Sequence, residues 1–417
     1  MQTVNLPQYA WFDPRDLEIT LPDEWTVEIC RMQGENRPAL TEQAILAALQ
    51  KPINSAPLRE IAKTKKEAVI VFDDLTRVTR TAKIAPGVIN ELKAGGLTAE
   101  HIRFICGTGL HGVMNRSHFA KKLGEEIVSN YAVYSHNPFG NVTFTGTTAT
   151  FQTPVYINEE YLKCDLKIVI GGCVPHTAAG FGGGSKLILP GISGYETINH
   201  HHTVGGTRMD PATGQKPTQG MGIIENNRFK QNIDEAAEIA GIDFLINVTT
   251  NLAGDSVAIY CGEWKSAYAA ALQDAQANYK TQKAIGFQVV VSNGYAKVSE
   301  SMLSLSAAIP LVDTRGGDIV VIANAPEGQV THYIAGIFGK TTYACHYTPC
   351  PIPDYVRHVF VLNEYPHPGG TCFKDDPRII YFRRWEDVLA RLQNEHPAPV
   401  RLAVIPDATM QYFNWYD

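Results

Sequence analysis

Four short stretches of this sequence combine residue types that can do chemistry. In Asp73-Asp74-Leu75-Thr76-Arg77 a carboxylate, Asp74, stands close to a guanidinium. Arginine's planar fork suits bidentate capture of a substrate carboxylate, although such a pair is more often an ordinary surface ion pair. Gly107-Thr108-Gly109-Leu110-His111 and Pro175-His176 each place an imidazole just beyond an apolar run. Imidazole titrates near neutral pH, which makes His111 and His176 candidate general acid–bases. The densest signal runs from His176 to Lys186, His-Thr-Ala-Ala-Gly-Phe-Gly-Gly-Gly-Ser-Lys. Glycine at that density lets backbone amides reach an anion, or lets a bulky ligand lie against the main chain. The pattern is not a P-loop, which needs Gly directly before its Lys and Ser or Thr directly after; here Ser185 precedes Lys186 and Leu187 follows. A lysine in a cleft can act as nucleophile or covalent anchor. Asn199 is followed by His200, His201 and His202. Successive helical side chains are about 100° apart, so at most one or two of the three can serve one site. Imidazole is a ligand for nickel, zinc and copper, and the cluster taken alone is equally a structural feature.

Each of these groups follows an apolar run that reads as a strand. Ala68-Val69-Ile70-Val71-Phe72 leads into the Asp74 to Arg77 turn, and Ile102-Arg103-Phe104-Ile105-Cys106 into the His111 loop. Leu166-Lys167-Ile168-Val169-Ile170 leads into Gly171-Gly172-Cys173-Val174-Pro175-His176. Between the first two, Ile84 to Ala94 reads as a helix closed by Gly95-Gly96. Strand, helix, strand at that spacing predicts a parallel sheet with right-handed crossovers. In such sheets ligands collect beyond the carboxyl ends of the strands, so Asp74, Arg77, His111 and His176 are expected at one edge. Further on, Trp264 to Ile285 has a helical composition and is expected to connect to a second group of strands, Phe287 to Val291 and Asp318 to Ala323. Arg401 to Pro406 reads as a final strand returning to the first domain, since chain termini often lie close together. The predicted fold is α/β, with two domains, each built on a central, mostly parallel sheet flanked by helices, and an active site in the cleft between them. The expected boundaries are 1–270 plus 400–417 for an N-terminal cofactor-binding catalytic domain and 271–399 for a C-terminal α/β domain.

The bulk properties narrow the partners. A chain of 417 residues exceeds what one hydrophobic core usually serves. A net charge of −6 with no basic block argues against a nucleic-acid partner, so a small anionic substrate has to find its cations locally. No apolar run nears the roughly 20 residues needed to cross a bilayer, and the first residues lack the basic-then-apolar layout of a secretory signal. Cys30, Cys106, Cys164, Cys173, Cys261, Cys345, Cys350 and Cys372 form no CxxC pair and read as mostly buried thiols of a reducing compartment. The expectation is a cytoplasmic protein with neither a membrane nor a nucleic-acid partner.

Taken in order, Asp74-Leu75-Thr76-Arg77, Gly107-Thr108-Gly109-Leu110-His111, the loop from His176 to Lys186, and Pro190-Gly191-Ile192-Ser193-Gly194-Tyr195-Glu196-Thr197 with the histidines after it resemble the motifs of the nickel-dependent lactate racemase family. The resemblance implies an isomerase, a racemase or epimerase that inverts C2 of a 2-hydroxy acid by reversible hydride transfer through a 2-keto acid, with a nickel-pincer nucleotide as hydride acceptor. It implies that Lys186 tethers this cofactor covalently and that His202, rather than His200 or His201, completes the nickel coordination. Thr108, Gly109, Gly183, Gly184, Ser185 and Tyr295 are then expected around the nucleotide. His111 and His176 match the two acid–base histidines, and Arg77 the substrate-binding arginine with Asp74 supporting it. Enzymes that synthesise the cofactor are implied as partners, and a homo-oligomer stays open.

One departure bears on the substrate. After Gly294-Tyr295-Ala296-Lys297, the register puts Met302, Leu303 and Ser306 where the lactate enzymes carry a Tyr-Gln-x-x-Lys element. The family's tryptophan near the site has no clear match between Thr342 and Val361. Losing that lysine removes one partner of a substrate carboxylate, so the expected substrate is a larger 2-hydroxy acid, such as a sugar acid, rather than lactate. Two other readings use the same residues. A zinc-dependent hydrolase would draw its ligands from Asp74, His111, His176 and the histidine triplet, without an HExxH motif. A catalytically silent nucleotide-binding protein would keep the glycine loop without turnover.

Overall fold

The computed structural model describes residues 1–205, 218–334, 351–365, 376–413 and 415. In chain order its strands are β1 (Gln2–Gln8), β2 (Arg15–Leu21), β3 (Thr26–Ile29), β4 (Ala68–Phe72), β5 (Ile102–Cys106), β6 (Ala132–Ser135), β7 (Val142–Thr147), β8 (Pro154–Asn158) and β9 (Leu166–Gly172). They continue with β10 (Pro175–His176), β11 (Gly180–Phe181), β12 (Phe244–Thr250), β13 (Ser256–Gly262), β14 (Lys280–Thr281), β15 (Val289–Asn293), β16 (Gly317–Ile322), β17 (Val356–Leu362), β18 (Ile379–Phe382), β19 (Arg401–Ile405) and β20 (Tyr412–Phe413). The chain divides into a continuous unit, Asn36–Asn278, and a split unit, Met1–Glu35 with Tyr279–Asp417.

The continuous unit carries a six-stranded sheet in the order β13-β12-β9-β4-β5-β6. Every pairing is parallel except the hairpin of β12 and β13 at one edge. All five residues of β4 are buried, as a central parallel strand with both faces covered requires. Ile70, Phe72, Phe104, Ile168 and Ile246 form one core with Ile45 and Leu49 of the helix Glu42–Gln50 and with Val88 and Leu92 of the helix Ala85–Ala94. That second helix has a proline in its first turn and ends at Gly95, with Gly96 at φ 102, where a side chain would be strained. From β4 the chain builds outward through β5 to β6, then returns to add β9 on the other side of β4 and continues to β12. The order therefore reverses between β4 and β9, the switch point where α/β sheets bind ligands.

The split unit carries a second six-stranded sheet, β18-β17-β16-β15-β19-β3, parallel throughout. One face is covered by the β1–β2 hairpin and the helix Trp385–Glu395, the other by the helix Met302–Ala308. Its strand order reverses between β15 and β19.

Three expectations are corrected. Arg401 to Pro406 does not return to the first sheet: β19 lies between β15 and β3, with Val404 opposite both Val291 and Ile29. Leu402 to Ile405 are all buried, and a strand apolar on both faces needs a neighbour on each side. The boundaries 1–270 plus 400–417 and 271–399 therefore give way to the division above. Residues 1–35 join the second sheet because β3 pairs with β19. The helix expected over Trp264 to Ile285 ends at Asn278 and flanks the first sheet, with Ala267, Tyr268, Ala271 and Ala275 buried.

Cys30, Cys106, Cys164, Cys173 and Cys261 are buried free thiols, whereas Cys345, Cys350 and Cys372 lie outside the described residues, as does the stretch 342–350 considered for the tryptophan. Among the described residues no helix is long and apolar enough to cross a membrane.

Candidate active site

The loop leaving β4 turns on Asp74. Its Oδ1 accepts from the amide of Thr76 at 2.9 Å and from the Thr76 hydroxyl, a turn that aspartate favours by mimicking a backbone carbonyl. Its Oδ2 lies 2.6 Å from Nδ1 of His111, in the loop after β5. Burial alone would push the Asp74 carboxyl up, but the His111 imidazole, Arg77 and the Thr76 hydroxyl together hold it well below the usual carboxylate range. An ionised Asp74 assigns the hydrogen of neutral His111 to Nδ1, leaving Nε2 as the basic nitrogen. Arg77 is held by its own turn, Nη1 donating to the Thr76 carbonyl at 2.9 Å and to the Thr76 hydroxyl at 2.7 Å.

The loop carrying His111 is fixed from below. Gly107 donates to the Phe72 carbonyl at 2.8 Å and Gly109 to the Gly191 carbonyl at 2.9 Å. The Thr108 hydroxyl donates to the His136 carbonyl at 3.3 Å. His136 is itself buried, its Nε2 donating to the Ser193 carbonyl at 2.8 Å while its Nδ1 accepts from Asn158 at 3.1 Å.

His176 lies on the other side of β4, four residues beyond β9, in the two-residue ladder of β10 with β11. Its Nδ1 accepts from the amides of Ala178 at 3.1 Å and Ala179 at 3.2 Å. In the neutral ring the hydrogen then sits on Nε2, the opposite arrangement from His111. With the strands in the order β5-β4-β9, the Asp74 to Arg77 turn stands between the two histidine loops, which leave strands about 10 Å apart.

The glycines after β11 let the chain fold back onto the sheet. Gly183 and Gly184 have φ 75 and 52. A Cβ on Gly183 would stand 3.0 Å from both amide atoms of Asn247, and one on Gly184 would stand 2.7 Å from the ring of Tyr268. The Asn247 side chain donates to the Gly171 carbonyl at 2.9 Å, while its Oδ1 is buried without a hydrogen-bond partner. Ser185 donates to Asp234 at 2.5 Å, and Lys230 donates to the same carboxylate and to the Ser185 hydroxyl at 3.2 Å. Lys186 is half-buried, with Nζ 6.0 Å from the centroid of the Phe229 ring.

The three histidines lie on the helix Tyr195–Gly205 and part company as helical geometry demands. His200 is 3.2 Å from the Thr153 hydroxyl. His201 is fully buried against Phe229, its Nδ1 2.8 Å from Asn232, and burial together with nearby His202 and Lys186 pushes its imidazole well down. His202 packs edge-on against Phe229 at 5.5 Å and donates from Nδ1 to the Ile198 carbonyl at 2.7 Å. That bond leaves Nε2 of His202 as the nitrogen able to ligate a metal. Lys186 and His202 thus share one aromatic neighbour. Among the described residues no group of three or more His, Cys, Asp and Glu side chains is arranged to hold a metal ion. Asp74, His111, His176 and the triplet form no such group, so among the described residues His202 has no two further His, Cys, Asp or Glu side chains arranged beside it for a metal.

Tyr295 belongs to the split unit. It follows β15 at that sheet's switch point, where the amide of Ala296 donates to Asp407 at 3.2 Å and the amide of Lys297 to the Thr409 hydroxyl at 3.0 Å. Sequence reasoning missed Lys122, His136, Lys230, Asp234 and Asn247. Only Lys230 and Asp234, four apart on one helix, carried a local signal.

Comparison with known proteins gives a consistent result. Residues 12–214 match the family model described as lactate racemase N-terminal domain. A lactate racemase of Thermoanaerobacterium thermosaccharolyticum is 25% identical over 336 residues, covering 79% of this chain and 76% of that protein. A lactate racemase of Lactiplantibacillus plantarum is 26% identical over 340 residues, with the same coverage. Among solved structures, the lactate racemase apoprotein from T. thermosaccharolyticum superposes with a TM-score of 0.74 at 20% identity, over 99% of this chain and 100% of that one. A Thermotoga maritima protein gives 0.65 at 18% identity, over 92% and 100%. Both share the two-unit α/β fold.

Proposed function

From the match of residues 12–214 to the lactate racemase N-terminal domain and the similarity to two lactate racemases, we propose that this chain is an isomerase of that family and inverts C2 of a 2-hydroxy acid by moving the C2 hydrogen as hydride and the hydroxyl hydrogen as a proton. The observation that carries this reading is the pair of imidazoles flanking the Asp74 to Arg77 turn, one backed by a buried carboxylate and the other by two backbone amides. Inversion needs a proton acceptor on one face of C2 and a proton donor on the other. His111, with Nε2 basic and Asp74 stabilising its charged form, takes the hydroxyl proton as the C–O single bond becomes a carbonyl. After the planar 2-keto acid has turned over and hydride has returned to its other face, His176 acts from its imidazolium form, Nδ1 released from the two amides, giving its Nε2 proton to that oxygen; exchange with solvent restores both rings. Run backwards from the other enantiomer, the two exchange duties. Arg77 pairs with the substrate carboxylate and keeps it fixed while C2 changes faces.

The hydride needs an acceptor, and the family implies a nickel-pincer nucleotide. The residues present fit such a group. Lys186 is the amine for a covalent tether and His202 offers one nitrogen, Nε2, to a metal that would arrive with the cofactor. The unpartnered Asn247 oxygen beside Gly183 is an acceptor awaiting a donor. When bound, the group supplies an electrophilic centre that takes the C2 hydrogen with its electron pair.

The substrate proposed is larger than lactate. Met302, Leu303 and Ser306, where the family's Tyr-Gln-x-x-Lys element would stand, bring no cation, and Leu303 is buried. The protein is proposed to work in the cytoplasm and to receive its cofactor from dedicated synthesis enzymes. Co-expression with those enzymes, followed by a chiral assay over a panel of 2-hydroxy acids, tests the reading. Turnover of a longer acid, a mass increase on the Lys186 peptide, and loss of both in Lys186→Ala are expected. Turnover retained in Lys186→Ala overturns the mechanism, and lactate as the best substrate overturns the choice of acid. Cofactor attachment without exchange of C2 hydrogen between enantiomers favours a silent nucleotide-binding protein.

A further inference from the structure

We propose that Lys122 is a positioning residue for the substrate-binding turn, an inference that rests on the role of Arg77 given above. Lys122 lies on the helix Arg116–Leu123, has no exposed surface, and directs its ammonium at the loop after β4. Nζ donates to Asp73 Oδ1 at 2.6 Å, to the Arg77 carbonyl at 3.0 Å and to the Thr79 carbonyl at 3.0 Å. These match the three donors of an ammonium group. The other oxygen of Asp73 accepts from the Thr79 hydroxyl at 2.7 Å and from the amide of Gly172, the last residue of β9, at 3.2 Å. One buried ion pair therefore grips the turn at residues 73, 77 and 79 and ties it across the switch point to the strand that leads to His176.

Stability alone is a poor reason for such a pair, since apolar residues of similar volume often replace a buried ion pair without loss. What apolar residues cannot replace is the hold on two carbonyls and the separation of two adjacent carboxylates. Asp73 and Asp74 are neighbours in the chain and point to different partners, Lys122 and His111. Asp73 gives one oxygen to Lys122 and the other to Thr79 and Gly172, while Arg77 Nη1 donates to Thr76.

The test compares the wild-type holoenzyme with the charge-balanced double variant Asp73→Asn/Lys122→Met and with Lys122→Arg. The double variant leaves no unpaired buried charge and is the variant expected to fold. Its Lys186 peptide should carry the wild-type mass increase while KM for the preferred acid rises on the order of ten-fold or more, the scale of a misplaced positioning group. Lys122→Arg keeps the charge but cannot match a tetrahedral donor set, so KM should recover only in part. Wild-type KM and kcat in the double variant would overturn the proposal. Should the wild type itself turn over no hydroxy acid, the function reading fails instead. Hydrogen exchange at the amides of Thr76 to Thr79 then decides the positioning claim, with faster exchange in the double variant supporting it and unchanged exchange overturning it.

Discussion

Replacing His136 by glutamine isolates how burial keeps a ring neutral beneath the His111 loop. Desolvation pushes the His136 imidazole down to about 4, and its bond to the Ser193 carbonyl only partly opposes this. From the ordinary value of 6.5, that shift corresponds to about 3 kcal/mol of coupling between protonation and folding. As pH falls from 6.5 to 4 the unfolded chain takes up the proton while the folded ring resists it, so stability falls with pH. Integrated, the loss is negligible at pH 7.5 and about 2.5 kcal/mol at pH 4.5. Glutamine can still donate to Ser193 but does not titrate. Whatever constant offset it introduces, the gap between wild type and His136→Gln should shift by about 2.5 kcal/mol in the variant's favour across that range. Urea-dependent hydrogen exchange on peptides covering β4, β5 and β9 measures the gap in the continuous unit alone. A gap independent of pH, or a folded-state ring titrating near its ordinary value, would refute the reasoning. Because the Thr108 hydroxyl rests on the His136 carbonyl, acid opening should also reach the His111 loop.

Asp74→Asn removes the anion behind His111 and is expected to lower kcat by about 10²–10⁴ with a smaller change in KM; steady-state kinetics with kcat unchanged would contradict the assigned roles. Burial pushes the Asp407 carboxyl up to about 6 despite its bonds from Thr409 and Ala296. The folded split unit therefore holds a proton that the unfolded chain releases, and about 3 kcal/mol is lost as pH rises from 4 to 6; hydrogen exchange in β15 and β19 should show that slope in the wild type and its absence in Asp407→Asn. Gly180→Ala places a Cβ 2.3 Å from the Ile223 carbonyl at φ 75. A loss of about 2 kcal/mol or more is expected, a Tm lower by about 5 °C, and an unchanged melting curve would show that the loop can shift.

The continuous unit was legible because its strands stop abruptly. Ala68 to Phe72 is buried along its whole length and then meets Asp73, so both the strand and its polar end are written locally. That the three adjacent histidines point different ways was readable from helical geometry alone, whereas the partners of each ring, Thr153, Asn232 and the Ile198 carbonyl, come from the fold. Pairing partners are a different matter. Nothing within Arg401 to Ile405 says whether it adds to the first sheet or the second, since a buried apolar strand fits the interior of either. Lys122 was equally silent: beside Lys121 in a polar helix it looks like any solvated lysine, and only the fold brings Asp73 to it. Tyr295 was expected at the nucleotide, and the structure places it after β15 in the split unit.

The return of the chain to complete its second sheet has a consequence for biosynthesis. β3 hydrogen-bonds to β19, so the first strand of that sheet emerges from the ribosome roughly tens of seconds before its partner exists. In that interval the continuous unit, Asn36–Asn278, has all of its own strands. Lys186 can therefore be presented in its finished loop on a nascent polypeptide whose last strands have yet to be translated.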